Sequence, residues 1–168
     1  MIPIIIMICS LLLDGILSNY LPYLVNDLSY FTPMFTIVSI FICYPFYRKS
    51  EVKFYIILFI LGIVYDMFYT NLLFIDGCLF VILGYLSYYL QKVFGLGYLK
   101  MILYAIVMVC TYEVLFSIIL FAYNMVPITI SLVVYKIVHS LIINIIYLEL
   151  LYVIVKIIPK KYKKINLN

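Results

Sequence analysis

Apolar residues in this chain neither alternate nor form a narrow stripe. They run on, as in Phe54–Leu61 and Leu141–Ile158, and are broken only by short groups of charged, glycine and proline residues. A transmembrane strand would alternate over about ten residues with one polar face. These longer runs predict membrane-crossing helices, each needing about 20 apolar residues. The punctuation predicts six: about 2–21, ending near Pro22; 28–47, with Pro33 and Pro45 near its ends; 54–70; 77–91, after a short turn from Asn71; 98–123, after the break Phe94-Gly95-Leu96-Gly97; and 128–158, after a tight turn from Asn124 to Pro127 and stopped by Pro159. The last exceeds a typical bilayer core, so it is expected to tilt, kink or project.

Composition then removes the soluble alternative. Of 168 residues, 68% are hydrophobic and 11% charged, with a mean hydropathy of +1.25. A soluble domain needs about twice that charge to cover its outside, and a disordered chain is far less apolar. Six spans leave no room for a soluble domain, so the expectation is all-α: one integral-membrane domain over 1–168. The N-terminus has no positive region and no cleavage site, which predicts a retained first span.

Charge sets the expected orientation. Arg48, Lys49 and Lys53 follow the second span, Lys92 and Lys100 follow the fourth, and Lys156, Lys160, Lys161, Lys163 and Lys164 end the chain. Of the 11 basic residues, only Lys136 falls elsewhere, within a span. The opposite loops, near Asp27, Asp76 and Asn124, hold none. Both termini are therefore expected in the cytoplasm. The net charge of +4 suits anionic membrane lipids rather than nucleic acid, and the basic end at 159–168 reads as a topology anchor or a docking segment. Cys9, Cys43, Cys78 and Cys110 lie in apolar runs with no Cys/His cluster, so neither a metal site nor a cofactor is expected. Many of the 19 tyrosines lie near span ends and read as interfacial anchors.

Ionisable groups at membrane depth are costly and are functional candidates by default. They are Asp14, Asp66, Glu113, Lys136, His139 and Glu149, joined by the polar Asn144. Counting places Asp14 and Asp66 in the outer half. Glu113 and Lys136 each lie about ten residues from the turn between the last two spans, which predicts an ion pair. Lys136, His139 and Ser140 share a helical face, with Asn144 about a third of a turn away. These groups either fix the packing of the bundle or line a path for a substrate or proton. No nucleophile motif accompanies the lone histidine, no carboxylates recur at ligand spacing, and no phosphate-cradling glycine loop exists, so an enzyme is not expected. Gly62 and Asp66 are one turn apart, and Gly77 and Gly84 two turns apart; glycine at such positions permits close helix approach in lipid.

At this point the residues become specific. The stretch from Leu61-Gly62 through Tyr65-Asp66, the turn Asn71–Asp76, Gly77 and on to Leu83-Gly84-Tyr85 resembles the MreD family of bacterial rod-shape-determining membrane proteins. That family shows a G-x-x-x-D element, a short outward turn and a following helix that ends in glycine and a bulky residue. Pro33 and Asp14 also fit. The family's usual proline-glycine turn is replaced here by Leu73-Phe74. The resemblance implies a non-enzymatic scaffold of the elongation (rod) complex in the bacterial cell membrane, supporting cell shape and peptidoglycan synthesis. It implies an MreC-type bitopic partner and, indirectly, MreB, RodA and RodA's transpeptidase partner. It also implies a fold similar to the substrate-binding subunits of energy-coupling-factor transporters. The alternative reading is therefore a vitamin-binding subunit of that type, with an outward pocket lined by Asp14, Asp66 and tyrosines; the very short outer loops count against it. A third possibility is an ion or proton carrier using Glu113 and Lys136.

Overall fold

A computed structural model describes residues 2–24, 33–70, 72, 74–95, 97–124 and 129–157. Among them there is no strand. The helices are α1 (Ile2–Leu24), α2 (Phe35–Cys43), α3 (Glu51–Tyr65), α4 (Ile75–Phe94), α5 (Tyr98–Ala122) and α6 (Ile130–Ile157). Five of them, all but α2, are long and apolar enough to cross a membrane. The chain is thus an all-helical protein with multi-pass membrane character. The basic segment 159–168, the loop around Asp27 and the turn at 125–128 lie outside the described residues.

The second element departs from the expected span over 28–47. Nine residues of α-helix pass into four residues of 3-10 helix over Tyr44–Tyr47, about 20 Å in all, against a hydrocarbon core of about 30 Å. Its bounds have local causes. Pro33 disfavours helical backbone at the residue before it. Pro45 has no N–H to give, so the α-helical ladder tightens there into the 3-10 turn. Every residue from Pro33 to Pro45 is buried. A helix that is apolar all round belongs in the middle, and α2 packs against α1, α4, α5 and α6. Phe41 meets Tyr104 edge to face at 5.1 Å, and Phe35 stacks on Tyr147 at 4.0 Å.

The other bounds shift modestly. α1 continues through Pro22 to Leu24, α3 starts at Glu51 rather than Phe54, and α4 runs from Ile75 to Phe94 rather than from 77 to 91. Gly95 closes α4 with φ +72°, donating its N–H to the Gln91 carbonyl; the left-handed region is free to glycine alone. Beyond Tyr65 the α3 ladder widens into a π-helical turn over Asp66–Thr70, a feature found mostly as single turns. Exposed apolar residues cover the outside. Along α6 they form a continuous line through Val134, Val138, Ile142, Ile146, Leu150 and Ile154, which is the surface lipid requires.

Candidate functional site

Helix N-termini leave N–H groups without intrahelical partners. Neither α2 nor α4 has a capping side chain of its own. In both, a carboxylate from another helix does the work. Asp14 of α1, 2% exposed, accepts the Phe35 N–H at 2.6 Å on one oxygen. On the other it accepts the Thr36 N–H at 2.9 Å and the Thr36 hydroxyl at 2.6 Å. Asn144 of α6 completes this end. Its Oδ1 accepts the Met34 N–H at 2.9 Å, while its Nδ2 donates to the Ser140 carbonyl at 2.8 Å. A negative group at a helix N-terminus also meets the positive end of the helix dipole. Asp14 and Asn144, from opposite ends of the chain, therefore hold the buried helix between them.

Asp66, fully buried, serves α4 in the same way. The Asp76 N–H reaches both of its oxygens at 3.1 Å, the Gly77 N–H reaches one at 3.4 Å, and the Thr70 hydroxyl donates at 2.9 Å. One turn back, Gly62 lies against the same point. A Cβ there would sit 2.5 Å from the Asp76 carbonyl oxygen and from the Gly77 backbone. Gly62, Asp66 and Gly77 thus meet at a single joint between α3 and α4. Gly84 lies farther along the same contact, where an added Cβ would meet the end of the Leu58 side chain. In the connecting turn, Phe74 takes φ +70°, a conformation rare for bulky residues.

The remaining candidates separate. Glu113, 4% exposed, and half-buried Lys136 reach one cavity of about 360 Å³ from α5 and α6. The ion pair expected between them does not form: Lys136 makes no hydrogen bond or ion pair with any described residue, while Glu113 is engaged. His139 does not join them. Its Nδ1 pairs with the Tyr135 carbonyl at 2.8 Å and its ring lies on the Tyr135 ring. Ser140 and Asn144 instead share the buried stripe of α6. Glu149 lies toward the other end of α6, accepting the Tyr98 hydroxyl at 2.7 Å.

Sequence reasoning missed Asp76, read there as a loop residue. It is fully buried in the first turn of α4. Its Oδ1 accepts the Tyr112 hydroxyl at 2.9 Å, and its Oδ2 has no hydrogen-bond partner. An acidic residue just before an apolar run was the available signal, since first helical turns favour acids. Gln91 was missed as well. Its Nε2 donates to the Phe41 carbonyl at 3.1 Å and ties α4 to α2. Among the described residues no group of three or more His, Cys, Asp or Glu side chains could hold a metal ion.

In this cavity several elements turn polar groups toward open space. Asp14 and Ser18 come from α1, Tyr65, Tyr69 and Thr70 from the end of α3, Tyr112 and Glu113 from α5, and Lys136 from α6; Phe68 and Phe116 supply apolar wall. Asp66 does not line it. Compared with protein-family models, curated proteins and solved structures, the chain matches none.

Proposed function

We propose that the chain is a non-enzymatic scaffold of the bacterial elongation complex, binding an MreC-type bitopic protein in the cytoplasmic membrane. In this reading the chain crosses the membrane six times, as its sequence predicts. Both termini lie in the cytoplasm, where the lysines and arginines gather. The observation that carries the reading is the state of Asp66. It is the acid of the G-x-x-x-D motif that the chain shares with that family, and its carboxylate accepts from the start of α4 and from Thr70. An element used up in fixing a hairpin suits a rigid platform better than a reaction centre. The partner's single span would lie along the exposed α6 line, where association in lipid depends on close packing and a few polar groups.

Co-expression with an MreC-type partner and purification in mild detergent tests this. Co-elution is expected, weakened by Ile142→Trp and Ile146→Trp on α6. The chain eluting alone, monodisperse and helical, overturns it.

The cavity favours a second reading, a small-molecule-binding subunit of the energy-coupling-factor type. A stoichiometric vitamin-sized adduct in native mass spectrometry supports that reading against the scaffold.

A further inference from the structure

The polar groups that line the cavity divide by what they already hold. Asp14 accepts three donors from the start of α2 and faces that helix's positive end. Glu113 is engaged. The Tyr69 hydroxyl donates to the Leu11 carbonyl, that of Tyr112 to Asp76, and that of Thr70 to Asp66. The fold therefore engages both carboxylates of the cavity and most of its hydroxyl donors. Two donors remain. The Lys136 ammonium has no partner among the described residues. The Tyr65 hydroxyl makes no hydrogen bond among the described residues either, although its ring is packed against Tyr69 and Phe80.

An ammonium group at membrane depth that is bonded to no carboxylate is costly, and a lysine there normally has a partner or a water-filled space. Here it faces a space at the low end of the range for small-molecule sites. Phe68 and Phe116 border the same space and offer apolar contact to whatever the donors hold. We infer that this cavity is a binding site for a single acidic group, a phosphate or carboxylate, held by Lys136 and Tyr65, with an apolar body laid against Phe68 and Phe116. The acidic group belongs either to a free small molecule or to an anionic lipid headgroup entering from the bilayer. The site stands apart from the scaffold reading, since ligand retention tests one and partner co-elution the other; it gives the small-molecule reading its ligand class.

Two probes separate the sources. The full-length chain in detergent is titrated with phenyl phosphate, followed by thermal shift, and separately with phosphatidylglycerol against phosphatidylcholine, followed by native mass spectrometry. Saturable stabilisation by phenyl phosphate identifies a free acid. One retained phosphatidylglycerol per chain, not displaced by phenyl phosphate and not matched by phosphatidylcholine, identifies a headgroup. In either case Lys136→Gln is expected to weaken the interaction at least about tenfold, the loss of one charged hydrogen bond. Tyr65→Phe is expected to weaken it by a smaller factor while keeping the ring contacts. Binding of neither probe, or unchanged binding in folded Lys136→Gln and Tyr65→Phe proteins, overturns the site.

Discussion

Asp14 and Thr36 are bonded twice, through the Thr36 N–H and through its hydroxyl, across 21 residues of intervening sequence. A single carboxylate of α1 thereby starts α2, the helix on which α1, α4, α5 and α6 all rest. Asp14→Ala leaves three donors without an acceptor in a buried place. It is expected to cost about 3 kcal/mol or more. Asp14→Asn keeps one acceptor oxygen and is expected to cost less. Thermal unfolding in detergent, followed by circular dichroism, checks the order, and equal melting points for the two variants would refute it.

The joint between α3 and α4 should be intolerant of a single methyl group. At Gly62 the added carbon meets backbone, which cannot turn aside. Gly62→Ala is expected to destabilise by about 3 kcal/mol. At Gly84 it meets the end of Leu58, a flexible side chain. Gly84→Ala is expected to cost under about 1.5 kcal/mol. The same melting measurement compares the two, and a Gly84 variant at least as damaged as the Gly62 variant would sink the account.

Phe74 occupies a left-handed conformation, φ +70°, and is more than half exposed. It stands in the turn where the resembled family carries proline-glycine. Phe74→Gly relieves a strain of about 1 kcal/mol, offset in part by the greater freedom of glycine in the unfolded chain. A small rise in melting temperature is expected, and a fall would show that the Phe74 ring contributes more than its backbone costs.

Asp76 offers a test of the unpartnered oxygen. Asp76→Asn keeps an acceptor for the Tyr112 hydroxyl and replaces the partnerless Oδ2 with a donor beside Asp66. Its stability is expected to equal or exceed that of the natural chain. Asp76→Ala strands the Tyr112 hydroxyl in a buried position and is expected to cost about 1–3 kcal/mol. Paired unfolding curves decide, and a strongly destabilised Asn variant would mean that the second oxygen has a partner of its own.

Much of the fold is legible in the sequence. Long apolar runs must become helices in lipid, because each backbone N–H and C=O then finds its partner within the segment. That requirement is local, so α1, α3, α4, α5 and α6 could be located to within a few residues from charges, glycines and prolines. Asp14, Asp66 and Asn144 could be singled out for the same reason, since a polar group in that setting must have a partner. What the partner is depends on distant chain. The free N–H groups of α2 are met by Asp14, some twenty residues before, and by Asn144, over a hundred residues after. No local spacing encodes those meetings. The sequence by itself determined that this protein is a bundle of apolar helices with a few committed polar groups. Only the tertiary structure decided that α2 is the short buried hub, that Asp66 closes a joint rather than lining a cavity, and that Lys136 and Glu113 reach one cavity without pairing. Helix formation in lipid is a contract within one segment, whereas the pairing of buried charges is settled by which segments come to lie side by side.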